Sequence, residues 1–422
     1  DWSNTASTAA FTPGTSIVYF QGTGAQAISG SFQTSFYDVV VNKTGTLTLN
    51  ANVGISNDLT LTSGSIDLNS QSINLSGDLT NNNALSAIGV SSGTFSMNGS
   101  STQTINGTQA SRFYNLTLNN TSATGVQLSK GIEVHGTLTF TDGHLQTGSQ
   151  TVSLQSSGTV TGEHSDHYLI GSVNTTRSIG AGASSFGNLG FSITAGSQNL
   201  GNVTLKRVSG SSGKVVVGAK ESIERRWVVT NTGSNPFDAR DITYSWLSTE
   251  DNGKNVSIFR LFGRDTEGSG AFEGIDDYKT VSTASDTRTI TVSQSHFTEI
   301  SGSDPNSPLP IQLAKLSLIP KADQINVQWQ TQTEFENYGF EINRKWDSEL
   351  VNNPADTAWV KVGFVNGNGT STESHNYEFE DNSVTYAGKY LYSITQIDYD
   401  GAYFVYGPYE VMYQAPNKIE LQ

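Results

Sequence analysis

The first 160 residues of this chain repeat themselves. The segment Ile17–Gly77 is answered by Thr94–Gly158 at a spacing of about 77–79 residues. "VYFQGTGAQAISG" from Val18 pairs with "FSMNGSSTQTING" from Phe95, and "FYDVVVNKT" from Phe36 with "FYNLTLNNT" from Phe113. "LTLTSGSIDL" from Leu59 pairs with "LTFTDGHLQT" from Leu138, and "INL" at Ile73 with "VSL" at Val152. Within each copy the apolar residues come in short alternating bursts, such as Leu47/Leu49, Leu59/Leu61, Ile66/Leu68 and Ile73/Leu75, each followed by a Gly, Asn or Ser corner. An alternating burst of this kind is a strand with one inward face. Such strands enclose nothing singly, but stacked as coils they bury one apolar column. A right-handed parallel β-helix with coils of roughly 20 residues is therefore expected over residues 1–163. A β-sandwich of hairpins is the rival architecture.

Composition agrees with an all-β chain. Its 422 residues include 43 Gly, 9 Pro and 2 Met, and long stretches are Ser, Thr, Asn and Gly around single aliphatic residues. β-Branched side chains suit a pleated surface, and Gly and Asn suit its turns. No segment shows a sustained 3.6-residue apolar stripe, so helix should be nearly absent. There is no Cys, which removes disulfides, thiol nucleophiles and Cys-ligated zinc. The net charge of −15 comes without a basic stripe, which argues against nucleic acid as a partner. No run reaches the ~18 apolar residues of a membrane span, so no transmembrane segment is expected. Asp1 opens directly on a polar segment, so no leader is expected in these residues.

Charge marks the first boundary. Residues 1–163 hold only Lys43, Arg112 and Lys130 against eight carboxylates, and the remainder holds the other 20 basic and 30 acidic residues. From His164 the apolar runs lengthen and become aromatic: "RRWVVTNTG" at Arg225, "ITYSWLS" at Ile242, "SIFRLFGR" at Ser257. We read 164–305 as an antiparallel β-sandwich and "GSDPNSPLP" from Gly302 as a linker. About seven further strands over 306–414, with Trp329 on the second and Tyr390/Tyr392 on the sixth, suit an immunoglobulin- or fibronectin III-like sandwich. Residues 415–422 form a tail.

The C-terminal third carries a resemblance. "LPIQLAKLSLIPKADQINVQWQTQTEFENYGFEINRKWDS" from Leu309, "VGFVNGNGTSTESHNYEFED" and "AGKYLYSITQIDYDGAYFVYGP" resemble the sandwich domain that precedes the sorting signal in type IX secretion cargo proteins. The N-terminal repeats are similar in pattern to those of surface adhesins exported by that route. The tail "APNKIELQ" is similar to the sequence just ahead of a cleaved sorting domain. The resemblance implies export to the extracellular space or outer surface of a Gram-negative bacterium, with attachment or assembly there, and no particular ligand.

Candidate chemistry is sparse. Asp58 and Asp78 are twenty residues apart, so they would stack on adjacent coils about 5 Å apart, a retaining-glycosidase spacing. The alternative is a pair of corner residues bonded to backbone, and the position answering Asp58 in the repeat is Thr137. "EHSDH" at Glu163 offers two His and two acids, enough for a metal in principle, though a solvated linker explains it as well. "DTEGSGAFEGIDD" supplies Asp265, Glu267, Glu273, Asp276 and Asp277 on a Gly-rich stretch, the oxygen-rich setting Ca²⁺ prefers, but without EF-hand spacing. Gly213-Lys214 is no phosphate loop, because Val208 stands where the first Gly is required, and no Gly-x-Ser-x-Gly elbow occurs. Tyr399, Tyr403, Tyr406, Tyr409 and Tyr413 could stack sugars or simply form cross-strand pairs.

These readings point to a non-enzymatic extracellular structural protein, either a surface adhesin or a filament subunit. A glycan-binding module and a polysaccharide-degrading β-helix enzyme are the alternatives. Its expected partners are other copies of itself, cell-surface components or glycans. For assembly the expected residues are Trp2 and Phe11, a thin lid on the first coil, and Ile419 and Leu421, alternating like a free strand in the tail. A strand added from one copy to the next does not close, so it yields a head-to-tail polymer.

Overall fold

A computed structural model describes all residues except 9, 85–87, 90–91, 218–219, 266, 269–271, 284, 305–314, 332–333, 348–357, 372, 400, 402 and 415–422. The chain is all-β, 60% strand and 2% helical, and begins as a parallel β-solenoid of about seven turns. Two antiparallel sandwiches follow.

Each coil visits three faces. Asp38–Leu49 covers two of them, and Val53–Ile55 forms the third. The next coil repeats this with Leu59–Asp67 and Ser72–Leu75, in parallel register Val39↔Leu59, Leu47↔Ile66 and Val53↔Ile73. Because side chains alternate along a strand, every second residue points inward. Val39, Val41, Leu47, Leu49, Val53 and Ile55 are buried, and Leu59, Leu61, Ile66, Leu68, Ile73 and Leu75 lie beneath them. The apolar column of the expected β-helix is present.

The sequence repeat does not hold a whole number of coils. Ile17–Gly22 pairs with Asp38–Leu49 on one face, whereas Thr94–Met97, its counterpart, belongs to the separate seven-stranded sheet. The second copy is thus rotated by one face relative to the first. What the repeat preserves is local geometry. Gly30 and Gly107 adopt positive φ at matching places, where a Cβ would run into the backbone of Asn4 and of Asn81. Only Gly is free to take that conformation in that space.

The solenoid does not stop where the charge changes. Leu169–Ser178 pairs in parallel with Leu145–Leu154 on one side and antiparallel with Asn202–Ser209 on the other. This strand closes the last coil and opens the first sandwich. Asn202–Ser209 leads to Arg225–Asn231, Glu299–Ser303 and Phe259–Arg264 in one sheet, and Phe191–Ile193, Arg240–Leu247 and Thr287–Gln294 form the facing one. Trp227, Tyr244, Trp246 and Phe259 fill the space between, with Trp246 stacked on Phe259 at 5.0 Å. A single apolar cluster runs without interruption from Phe20 to Ile300.

The C-terminal sandwich has its own core. Three strands, Lys315–Pro320, Ile325–Thr331 and His375–Asp381, face four, in the order Val360–Ser371, Glu334–Asp347, Gly388–Asp398 and Tyr403–Tyr413. Trp329 stacks on Tyr377 at 5.4 Å and meets the edge of Phe340 at 5.3 Å. The Pro-rich linker expected from Gly302 lies mostly outside the described residues.

Candidate functional site

The stacked acids of the solenoid hold backbone. Asp38 Oδ1 accepts the N–H of Asp58 at 3.0 Å, Asp58 Oδ1 accepts the N–H of Asp78 at 2.7 Å, and Asp78 Oδ1 accepts the N–H of Thr104 at 2.7 Å. Each carboxylate ties its own corner to the next coil. The second repeat makes the first of these bonds with an amide, since Asn115 Oδ1 accepts the N–H of Thr137 at 2.9 Å. An acceptor oxygen is what this corner requires, and a negative charge is not. A glycosidase pair needs both carboxyls facing the scissile bond, whereas these are engaged along the stack.

In "EHSDH", His164 and Asp166 are exposed as expected of a solvated segment, but Glu163 is not. Glu163 turns inward and takes a bidentate bond from Arg207, both N–H···O distances being 2.7 Å, with a further N–H from Leu169 at 3.0 Å. Burial alone would raise the Glu163 carboxyl, but the Arg207 charge and bonds outweigh it and hold the carboxyl below its usual value. Beside it Arg225 lies against Glu250, Nη2 to Oε2 at 2.5 Å, and Glu250 also accepts the N–H of Leu247 at 3.0 Å. For Glu250 burial wins and raises the carboxyl. Two guanidinium–carboxylate pairs therefore sit where the last coil meets the sandwich. A pocket of about 370 Å³, lined in part by Glu163, Arg225 and Trp246, opens next to them.

The outward residues of the same segment form a small polar cluster. Ser165 donates its N–H to Asp286 at 2.8 Å and its hydroxyl to the same carboxylate, as does Ser248. His164 Nε2 lies 3.8 Å from Asp286. A nucleophilic serine needs a base on its hydroxyl proton. Here the carboxylate itself accepts that proton's bond, and the imidazole is bonded to neither serine, so the arrangement fastens a corner.

Only two of the five calcium candidates have described side chains. Asp265 is exposed, and Glu267 is paired with Lys206 at 2.7 Å. Glu273, Asp276 and Asp277 lie on the strand Glu273–Lys279, and their side chains are outside the described part. Among the described residues no group of three or more His, Asp or Glu side chains is placed to hold a metal. No described helix is long and apolar enough to cross a membrane.

Trp2 and Phe11 pack on the first coil. The Trp2 ring lies 4.7 Å from Phe11 and 5.1 Å from the fully buried Phe36, and its Nε1–H donates to Thr34 Oγ1 at 3.1 Å. Ile419 and Leu421 lie outside the described residues. The tyrosine set divides: Tyr406 and Tyr413 are core, Tyr409 is half-buried, and Tyr399 and Tyr403 are exposed. The sequence reading passed over Arg207 and Arg225, although a signal was there. In Asn202–Ser209, Arg207 shares the parity of Val203 and Leu205, and in Arg225–Asn231, Arg225 shares that of Trp227 and Val229. An Arg on the inward face of a strand needs a buried carboxylate.

Compared with known proteins, the chain matches no protein-family model, and no curated protein matches it.

Proposed function

We propose that this chain is a non-enzymatic stalk of the bacterial cell exterior, an adhesin-type protein exported by type IX secretion. The observation that carries this reading is the unbroken core from Phe20 to Ile300. One strand, Leu169–Ser178, belongs to both solenoid and sandwich, and buried ion pairs lock the same junction. A hinge needs a segment with few contacts across it, and this junction is the reverse. The acids that could have served catalysis bond the next coil instead, which supports a structural role. The resemblance of the C-terminal third to cargo domains supplies the export route.

A filament is the second reading, and the solenoid's first coil favours it. Among the described residues Ile17–Gly22 pairs with Asp38–Leu49 alone, and its Ile17 and Tyr19 are exposed. A strand with one neighbour presents unpaired backbone groups to another chain. Negative-stain imaging of the purified chain tests both. Seven coils at about 4.8 Å each give a solenoid roughly 34 Å long. Particles in which solenoid and first sandwich form one straight body of constant length are expected. A broad distribution of angles at residues 163–178 would refute the stalk, and end-to-end fibres would favour the filament over the single stalk.

A further inference from the structure

The outer face of the four-stranded sheet in the C-terminal sandwich is not flat. Phe340 and Ile342 are buried in Glu334–Asp347, which leaves Asn343 on the outer side. Tyr392 and Ile394 join the sandwich core, while Ser393, only 7% exposed, and Thr395 line the trough on the other side. Two register slips flank these residues. One lies between Ile342 and Asn343 against Val360–Ser371, and the other between Tyr392 and Ile394, which sets Gly407 and Pro408 opposite Ser393. Bulges bend a strand and re-aim its side chains. Between them lies a trough of about 450 Å³ lined by Asn343, Trp359, Ser393, Thr395, Val405 and Pro408.

The lining has a definite chemistry. Trp359 and Val405, 45% and 47% exposed, give apolar walls. One amide and two hydroxyls form the floor. Among the described residues no charged side chain lines the trough, and Lys361 and Glu341 beside it are closed on each other at 2.7 Å. A ligand matching this surface carries C–H on one face, several donor–acceptor hydroxyls on its rim and no net charge. A pyranose ring has that form: its C–H face stacks on an indole, and its hydroxyls pair with amide and hydroxyl groups. The trough falls within the ~300–1,000 Å³ span of small-ligand clefts. Tyr403, 65% exposed, stands two residues from Val405 on the same strand and face, about 7 Å along. It continues the apolar wall for a second ring. A peptide added as a strand needs a free sheet edge, and this trough lies on the face of the sheet, where backbone groups are already paired.

We propose that this trough binds a neutral oligosaccharide, with Trp359 as the stacking residue and Asn343, Ser393 and Thr395 as the hydroxyl partners. The proposal gives the adhesin a ligand class and rests on the stalk reading only for where the ligand is met. Calorimetric titration of the full chain with cellohexaose, maltohexaose, laminarihexaose, xylohexaose and chitohexaose tests it. Saturable binding to at least one is expected, weakened about tenfold or more by Trp359→Ala and also weakened by Thr395→Val. Circular dichroism and thermal unfolding should be unchanged, because Trp359 is a surface residue. No saturable heat with any of the five at millimolar concentration overturns the proposal, as does binding that Trp359→Ala leaves intact. Self-association of the chain that Trp359→Ala abolishes, without saccharide binding, also overturns it and makes the face a contact between copies. Straight particles that bind no saccharide would sink the site alone, and saccharide binding by jointed particles would sink the stalk alone.

Discussion

Replacing Arg207 by Met keeps most of the side-chain volume and removes the guanidinium bonded to Glu163. Arg207 is fully buried and the Glu163 side chain is 11% exposed, so little water can reach the carboxylate left behind. The remaining partner of Glu163 is the N–H of Leu169. Breaking a buried pair from one side costs about 3–5 kcal/mol, because the surviving charge is unpaired, whereas removing both charges is close to neutral. Arg207→Met should therefore lose about 3–5 kcal/mol, and adding Glu163→Gln should recover most of it. Urea unfolding followed by tryptophan fluorescence reads this directly, since Trp227, paired in register with Arg207, and Trp246 are both buried in this unit. The solenoid shares its core and a strand with the sandwich, so far-UV circular dichroism should move with the fluorescence. A loss below about 1 kcal/mol for the single variant, or a double variant no better than the single, would refute the reasoning.

Two further outcomes are expected. Leu61→Asp or Leu75→Asp places an unpaired carboxylate in the solenoid column and should abolish its folding, while Leu61→Ala should cost about 2–5 kcal/mol; native circular dichroism and melting for both Asp variants would exclude a packed column. In the C-terminal sandwich, burial would raise the carboxyls of Glu334 and Asp381, but hydrogen bonds hold both low: Tyr377, Asn368, Asn337 and Thr331 on Glu334, and Ser383 and Tyr392, with the Arg344 charge, on Asp381. A carboxyl lowered on folding stabilises above its unfolded value, about pH 4, and that contribution is lost as pH falls through the folded value. Unfolding measured from pH 7 to 3 should show this loss, with a shallower slope in Glu334→Gln; an equal slope in the variant counts against the assignment.

The fold was legible where a residue's parity decides its side. The two-residue alternation in Leu59/Leu61 and Ile73/Leu75 specifies an inward face whichever sheet the strand joins, so the bursts alone predict the buried column. The placing of each burst among the three faces was not legible. That depends on the residues each corner uses up, and the two copies differ there: Gln26 pairs with Leu47, while Gln103, in the matching position, pairs with Val126. Composition likewise marked a change at 163 without showing what the chain does there. Arg177 lies on the strand that finishes the solenoid, because that strand also begins the sandwich.

The candidate sites separate along the same line. "TQTEFENYGF" was legible as a motif, and the structure supplies its reason: Thr331, Glu334 and Asn337 are joined by hydrogen bonds of 2.7–2.8 Å around one buried carboxylate, which Tyr377 completes from the facing strand. A run of polar residues kept for one another's hydrogen bonds looks like a functional motif and is a core. The trough at Trp359 is the opposite case. Its residues come from four separate strands or their flanks, and the two bulges that bring them together interrupt the alternation on which strand reading depends. A site made by irregularity leaves no periodic trace in the sequence. In a chain whose regular parts are given over to packing and coil-to-coil bonds, irregular places are where a ligand site is to be sought.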